Sequence, residues 1–440
     1  MITMRYFRPV IAAALLLMTT FIGASAQTSA ADVGFTPYSI FGIGDLARQG
    51  SAYNRSMGGI GIGDRNQRYI NYLNPAAVTA RQPKSFMMDF GVQENNNYFA
   101  VGAEGSDNLL HSADNTFNMD HIVLSFPIEK HSAFLFGVKP YSNTGYAFNS
   151  KEESDELISE MGEIEYAQVG QGGLTEVFAG AGATFFKRLS IGVDGQYIFG
   201  NINRYTSASF ITASSYRTIN SGWDYALRGF GAKFGMQYEQ PVGKKYAATI
   251  GATYSLGSKL NGELRRFAYG ILSSNDTIVN NRSEIDGFTI PSEIGVGFTF
   301  KQRDESWLFG FDYTRQDWTN AMLFDSPGSE FSAAKQQSFR AGFEFTPNRY
   351  DMRYWYKHIT YRGGCYHEKS YYSFNGRQVD ATGVTFGISF PVFKYFNSVN
   401  LGVDIGQRGS LAAGQIRERY FLFNVSFALH DIWFLKPLYD

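Results

Sequence analysis

The stretch that decides the fold is Arg55–Ala77, RSMGGIGIGDRNQRYINYLNPAA, which is typical of neither a signal peptide, nor a strand, nor a connection between strands. Glycines stand close together near its start, at Gly58, Gly59, Gly61 and Gly63. Such a run lets backbone pack closely against backbone in a narrow space. The stretch ends at Asn74-Pro75-Ala76, where proline fixes its own φ and turns the chain. We expect it to fold inside a larger structure; a glycine-rich surface loop is the alternative.

The composition favours one large β structure. The 440 residues include 39 Phe, 28 Tyr and 47 Gly but only 12 Pro, and 18% of them are charged, which is low for a soluble protein. Aromatic and glycine enrichment is typical of membrane barrels, whose strands carry interfacial rings outside. The net charge of −1 supplies no basic field, so nucleic acid is excluded as a partner.

Residues 1–26 are predicted to be a secretory signal peptide. Arg5 and Arg8 precede a short apolar run, and the small residues Ala24-Ser25-Ala26 follow it as a cleavage site. The only cysteine, Cys365, excludes an intramolecular disulfide. After the signal no apolar stretch is long enough for a transmembrane helix. An exported, apolar chain of this kind can enter a membrane as a closed β-barrel.

Clean alternation of apolar with small or polar residues predicts the strands. In one example Trp307, Phe309, Phe311 and Tyr313 alternate with Leu308, Gly310, Asp312 and Thr314. Six short and seven long connections then give a 14-stranded antiparallel transmembrane β-barrel over residues 84–430, with a tail at 431–440. The long connections are predicted at about 94–118, 149–172, 201–223, 258–289, 318–335, 362–380 and 408–416, and a short one at Pro347–Tyr350. Both termini are then expected in the periplasm.

A glycine-rich segment ending in Asn-Pro-Ala ahead of a barrel resembles the hatch of FadL/TodX-type outer-membrane transporters of long-chain fatty acids and other hydrophobic compounds. The resemblance implies that residues 27–83 form a hatch, or plug, inside the lumen. The hatch motif comprises Arg55, Gly58, Gly59, Gly61, Gly63, Asp64, Asn74, Pro75 and Ala76. The C-terminal end resembles that of barrels from the Bacteroidetes, and the last strand resembles a signal for the barrel-assembly machinery.

Strand three contains a second candidate site. Pro140 interrupts it, and proline removes a ladder donor, so pairing is expected to break locally between Lys139 and Gly145. In the family, a kink in an early strand opens a gap through which an apolar substrate leaves sideways. Under the alternative, the strand simply ends at Lys139 and the rest is loop.

The resemblance implies passive uptake of a hydrophobic, fatty-acid-like small molecule, released sideways into the outer-membrane lipids. Capture is expected at aromatic-rich outer loops, to which we assign Tyr354, Trp355, Tyr356, Tyr361, Tyr366, Tyr371 and Tyr372. No enzyme is expected, because no G-x-S-x-G elbow occurs. The spacing of Cys365 with His358 and His367 matches no standard metal site, and the six histidines are expected mostly at strand ends or in loops. No metal and no cofactor are predicted.

Two other functions remain open. Some Bacteroidetes barrels similar to the FadL type serve as accessory or shuttle components of a protein secretion system, so secretion proteins are alternative partners. A large ordered set of outer loops would favour that role, whereas a continuous apolar tunnel would favour transport. A purely structural or adhesive barrel needs neither hatch nor kink.

Overall fold

The computed structural model describes residues 36–82, 84–106, 108–211, 216–271, 275–321, 331–349, 351, 353–374, 376–392 and 396–432. The predicted signal peptide, the first part of the predicted hatch (27–35) and most of the predicted tail (433–440) lie outside the described residues.

The barrel has 14 antiparallel strands, β1 to β14, which confirms the predicted fold class. The continuous strands are β1 (Ser85–Val101), β2 (Leu110–Glu129), β3 (Ser132–Lys151), β4 (Ile164–Phe185), β5 (Leu189–Phe210), β6 (Thr218–Val242), β9 (Trp307–Asp317), β11 (Thr360–Phe374), β12 (Arg377–Pro391), β13 (Ser398–Arg408) and β14 (Arg417–Ile432). Three strands have a short break, namely β7 (Tyr246–Ser255 and Ser258–Ile271), β8 (Asn275–Ile290 and Glu293–Gln302) and β10 (Phe331–Ala333 and Lys335–Phe345).

The sheet closes on itself. Each strand pairs with the next, and β14 pairs with β1 from Arg417↔Ala100 to Ile432↔Ser85. We call the rim that carries the connections after odd-numbered strands the upper rim, and the opposite one the lower rim. Large apolar side chains such as Phe309, Phe343 and Phe386 are exposed on the outer face, as in an outer-membrane barrel.

Several strands are longer than the sequence analysis predicts, so some predicted connections are wrong. β1 continues to Val101 and β2 begins at Leu110, inside the predicted connection 94–118. Residues 258–289 belong almost entirely to β7 and β8 instead of a loop. Above the apolar belt both faces of a strand carry polar residues, so the alternation is lost although backbone pairing continues.

The prediction that these seven aromatic residues lie in outer loops is also wrong. β10 ends at Phe345 and β11 begins at Thr360, so the two are far apart in sequence at the lower rim, whereas β11 ends at Phe374 and β12 begins at Arg377, close together at the upper rim. The predicted loop aromatics consequently divide among three places: Tyr354, Trp355 and Tyr356 at the lower rim, Tyr361 on the outer face of β11, and Tyr366, Tyr371 and Tyr372 buried within the barrel.

β2 and β3 pair over only part of their length. Their ladder runs from Glu129↔Ser132 up to Ile122↔Val138. Above it, among the described residues, 110–121 of β2 have a strand partner only in β1. We call this separation of β2 from β3 above Ile122 and Val138 the seam.

β3 continues past its proline. The strand runs on to Lys151, so the alternative in which it ends at Lys139 is wrong. Its register on β4 shifts between Pro140 and Ser142, next to the top of the β2–β3 ladder. The shift places a local irregularity at the foot of the seam.

Residues 36–82, which we call the hatch, contain four short elements. These are a 3₁₀ turn (Pro37–Ile40), a two-residue strand (Asp45–Leu46), a helix (Ala52–Arg55) and a second 3₁₀ turn (Pro75–Thr79). Both 3₁₀ turns begin with proline. Proline suits the first position of a helical turn because it has no N–H, and an N–H at that position would have no partner within the turn. The Asn74 side chain caps the second turn by accepting from the N–H of Ala76 at 3.0 Å.

Candidate functional site

The glycine run of the hatch lies against glycines of the barrel wall. A Cβ added to Gly364 would lie 2.2 Å from the nitrogen of Gly58, and one added to Gly342 would lie 2.3 Å from the carbonyl oxygen of Met57. Gly59 has φ +85° and lies beside the Arg340 side chain. Because backbone meets backbone here, no side chain fits on either surface.

The middle of the run is held by hydrogen bonds from the wall. The carboxylate of Asp312 accepts from the N–H of Gly61 at 2.6 Å and from that of Ile62 at 2.8 Å. Gly63, two residues further on, also lies close to the wall, since a Cβ added to it would lie 3.0 Å from the backbone of Gly297. An inward aspartate of the wall therefore binds the hatch.

The Asn74-Pro75-Ala76 turn packs on a patch of wall glycines. The Asn74 amide donates to the carbonyl of Ile62 at 2.8 Å. A Cβ on Gly192 would lie 2.4 Å from the carbonyl carbon of Pro75, and one on Gly235 would lie 2.7 Å from its Cδ. The turn thus contacts β5 and β6 directly.

Arg55 binds a polar cluster on β2 and β14. It forms an ion pair with Asp120 at 2.6 Å and donates to Asn424 at 3.1 Å. His121, fully buried, lies 2.8 Å from the same Asp120 and 3.5 Å from Asp89. The sequence analysis missed this cluster, since it expected the histidines mostly at strand ends or in loops.

Asp64 is a buried acid inside the hatch. The Tyr53 hydroxyl donates to its Oδ2 at 2.7 Å, while Oδ1 has no hydrogen-bond partner among the described residues. Burial raises the pKa of Asp64 to about 6, partly offset by the charge of Lys301 and the Tyr53 hydrogen bond.

Near the lower rim, a buried arginine of the wall is ion-paired within the wall and contacts two tyrosines of the hatch. The Arg362 Nε lies 2.8 Å from Glu344, and its guanidinium is 4.5 Å from the ring centre of Tyr53 and 4.8 Å from that of Tyr69. Arg349 contacts the same Glu344 at 3.4 Å. The cation–π contacts of Arg362 therefore hold the two hatch tyrosines to the wall, and the ion pairs with Glu344 fix the position of Arg362.

Towards the upper rim, the apolar part of the lumen is filled by the hatch itself. Tyr38, Phe41 and Ile43 are buried among aliphatic and aromatic wall residues, and the Phe41 ring stacks on that of Phe331 with centroids 4.6 Å apart. The wall side of this cluster comprises Leu174, Ile198, Ile202, Leu227, Leu260, Ile290, Trp318, Tyr371, Tyr372 and Val379.

Between these layers lies a cavity of about 150 Å³. Charged side chains from the hatch and wall line much of it, among them Asp45, Arg48, Lys139, Glu176, Asp194, Lys233, Glu293, Asp312, Arg340, Glu368 and Arg408. An apolar solute gains little from such a lining, because it would remove charged groups from water. The cavity has room for roughly ten water molecules.

Two of the three predicted kink residues contact the hatch. Lys139 forms an ion pair with Glu176 at 3.0 Å and donates to Gln49 at 3.1 Å. The carbonyl of Gly145 accepts from the N–H of Thr36 at 2.9 Å. Pro140 lies between them, at the register shift.

The described residues contain no cluster of His, Cys, Asp and Glu that could bind a metal ion. No helix in the described part of the chain is long and apolar enough to cross a membrane.

Comparisons with solved structures show the fold. The Pseudomonas putida toluene transporter TodX matches with a TM-score of 0.56 and 14% identity, covering 89% of this chain and 99% of TodX. The Ralstonia pickettii toluene transporter TbuX matches at 0.55 and 13%, covering 87% and 98%. A Pseudomonas aeruginosa FadL homologue matches at 0.51 and 10%, covering 87% and 99%. The chain therefore shares the fold of these three proteins.

A comparison with curated proteins found no significant match. The sequence does match one family model, BamG, over residues 8–440. Since this match spans nearly the whole sequence, the chain belongs to the BamG family.

Proposed function

We propose that this protein is an outer-membrane barrel that works by binding other proteins, as an accessory subunit in the assembly of β-barrels. Its family name suggests the link to barrel assembly. The observation that carries the proposal is the closed lumen. Hatch residues fill the apolar layer, charged groups line the remaining cavity, and the contacts of Arg362 with Tyr53 and Tyr69 close the lower layer. A continuous apolar tunnel would favour transport, as stated above, whereas charged side chains line much of the cavity in this lumen.

In this proposal the lower rim faces the periplasm, as expected for the rim with the shorter turns. The first residue of the barrel, Ser85, and its last, Ile432, then both lie on the periplasmic side. The same geometry would also serve an accessory barrel of a protein secretion system, which the experiment below separates from barrel assembly.

The test is purification from native outer membranes in mild detergent through a C-terminal tag, followed by mass spectrometry. We expect stoichiometric components of the barrel-insertion machinery, and depletion of the protein should lower the amounts of folded outer-membrane barrels. Recovery of secretion components in their place would move the function to protein secretion. Recovery of the barrel alone with a stoichiometric apolar molecule would contradict the proposal.

A second candidate, uptake of hydrophobic compounds with sideways release, is favoured by the seam. The cavity is lined by Lys139 and Tyr141 of β3, so it reaches the strand that borders the seam. Toluene transporters and a FadL homologue share the fold. For uptake, the hatch segment that contacts Ser142 and Asn143 would have to move.

Replacing Pro140 tests this candidate. Pro140→Val restores a donor and a strand former at the register shift, so uptake of a radiolabelled fatty acid or toluene should slow if the candidate holds. Val138→Ile, two residues away within the regular ladder, is the matched control. Unchanged uptake in Pro140→Val would exclude release at this kink.

A further inference from the structure

Four consecutive connections of the lower rim lie side by side. They follow β4, β6, β8 and β10, and the strands from β4 to β11 are successive neighbours in the sheet. The N–H of Arg303 donates to the carbonyl of Lys245 at 2.8 Å, which joins two of these connections. The N–H of Thr346 donates to the carbonyl of Ser306 at 2.7 Å, which joins the next two. We call residues 186–188, 243–245, 303–305, 351 and 353–357 the lower-rim arc.

The lower-rim arc carries an excess of positive charge. Its charged residues are seven basic ones, Lys187, Arg188, Lys244, Lys245, Arg303, Arg353 and Lys357, and three acids, Asp304, Glu305 and Asp351. Two of the acids are already paired, Glu305 with Arg349 at 2.5 Å and Asp351 with Lys357 at 2.7 Å. Beyond these pairs the arc exposes six basic side chains and one acid, Asp304. Such a surplus attracts an acidic partner and speeds its encounter.

Exposed aromatic side chains lie among these charges. Phe186 is 91% exposed and Trp355 70%. The rings of Tyr354 and Tyr356 lie beside each other, with centroids 5.6 Å apart, and are also exposed. Tryptophan, tyrosine and arginine are the residues that most often dominate the binding energy of protein interfaces. The arc therefore combines apolar anchors with a surrounding positive charge.

The connection that carries the exposed tryptophan is held in place by the protein itself. The Asp351 carboxylate accepts from the N–H groups of Arg353 and Tyr354, both at 2.9 Å. Arg349 is buried and contacts Glu344, an inward residue of the wall, at 3.4 Å. Because this connection is anchored on the lumen side before a partner arrives, binding to it costs little ordering entropy.

We infer that the lower-rim arc binds an acidic surface of a periplasmic protein, with the exposed aromatic rings as the apolar anchors. The inference rests on the proposed function, which places the lower rim in the periplasm, and it adds the site and the chemistry of the partner. Anionic lipid headgroups also attract basic residues. The anchoring of Arg349 on the lumen side, away from the lipid-facing surface of the wall, favours a protein.

Site-specific photocrosslinking in intact cells tests this inference. The photoreactive residue p-benzoylphenylalanine replaces Trp355 in the full-length protein, and mass spectrometry identifies the crosslinked peptide. The matched control carries it at Tyr361, which is 41% exposed on the outer face of β11. From position 355 we expect a peptide of a periplasmic protein that is rich in Asp and Glu, and from position 361 no such peptide. Lipid adducts alone at position 355, a protein peptide without an excess of acids, or the same adduct from both positions would overturn the inference.

Charge reversal tests the electrostatic contribution. With the probe at position 355, the double variant Lys244→Glu with Lys245→Glu should lower the adduct about tenfold or more, because like charges across an interface repel. The control, Lys84→Glu with Lys130→Glu, changes the net charge equally at exposed lysines of the lower rim outside the arc, and it should leave the adduct intact. Equal losses in both variants, or no loss in either, would contradict a site at the arc.

Two further checks separate the possible failures. Heat-dependent migration in gels verifies that each variant forms a barrel. If assembly components co-purify with the protein but position 355 gives no adduct with an acidic peptide, only this inference fails. If assembly components do not co-purify, the proposed function fails.

Discussion

At the level of single residues, the glycines of the inward face have a definite use. From the sequence alone, the glycine enrichment of the strands is only typical of membrane barrels. The structure shows close backbone contacts instead, with Gly342 and Gly364 against Met57 and Gly58, and Gly192 against Pro75. Each is a place where the hatch backbone meets the wall backbone, so the wall glycines and the hatch motif form one interface.

Gly364→Ala should loosen the hatch. Its Cβ would lie 2.2 Å from the nitrogen of Gly58, and backbone cannot turn aside as a flexible side chain can. We expect a loss of about 1–3 kcal/mol, as for overpacked cores. The neighbouring Gly363→Ala is the control, because a Cβ there meets only the carbonyl oxygen of Thr385, at 3.8 Å. Urea unfolding in detergent micelles measures both, and equal midpoints would show that the contact at Gly364 does not hold the hatch.

A buried ion pair makes the second residue-level prediction. Arg362 and Glu344 are both buried, and removal of one partner leaves the other charge without compensation. Arg362→Ala should therefore cost about 3–5 kcal/mol. Lys151→Ala breaks the exposed Lys151–Glu165 pair, whose side chains are 68% and 48% exposed, and should change stability by less than about 1 kcal/mol. Thermal unfolding, monitored by the heat-dependent gel migration of the barrel, compares the stability of the two variants. A small loss of stability in Arg362→Ala would mean that water reaches the Arg362–Glu344 pair.

At the level of elements, the sequence predicts most of the architecture. Alternation and turn spacing predict the closed barrel and its strand number, because both follow from local patterns. Strand ends above the apolar belt are not predicted, since polar residues on both faces of β1 and β2 leave no period. The position of β11 is missed for a related reason: Tyr354, Trp355 and Tyr356 suggest a loop at the upper rim, but nothing local marks the long connection at 346–359.

The lumen site is less predictable than the barrel. The motif residues Gly58 and Pro75 are recognisable in the sequence. Their contact residues in the wall, Gly364 and Gly192, lie on strands distant in sequence and belong to no motif. The Arg55–Asp120 pair joins residues on different elements in the same way. Contacts of this kind depend on strand register, which a single sequence does not fix at the level of individual pairs.

The hatch should bind more tightly at acid pH because of Asp64. Its pKa is raised to about 6 from an ordinary 3.8, so between these values the docked hatch holds more protons than the released one. Docking is then strongest below about pH 4 and weakens as the pH rises to about 6, by on the order of 2–3 kcal/mol. Protease protection of the hatch from pH 4 to 7 measures this.

The variant Asp64→Asn isolates the effect. It has no carboxyl to titrate, so this part of the pH dependence should disappear, while Asp155→Asn in the exposed helix Asp155–Met161 should retain it. A pH dependence that persists in Asp64→Asn would assign it to other groups.

At the level of the whole molecule, the lumen is closed in three layers. The apolar cluster around Phe41 fills the upper part, the charged cavity occupies the middle, and the contacts of Arg362 with Tyr53 and Tyr69 close the lower part. All three include hatch residues. A barrel of 14 strands would otherwise enclose a channel. The hatch therefore determines whether the barrel is plugged or is an open pore.

We expect that the intact protein does not conduct ions and that the hatch alone prevents conduction. In planar bilayers the full chain should show no steady conductance, whereas deletion of residues 36–82 should give open pores and make cells sensitive to a large polar antibiotic. Because the deletion removes every hatch contact at once, its barrel could assemble poorly. The double variant Arg362→Ala with Gly364→Ala keeps the hatch but weakens two separate contacts, and it should give brief openings with a normal barrel yield. Steady conductance of the intact protein would mean that the hatch leaves a passage, and the closed lumen could then no longer support a protein-binding role over transport.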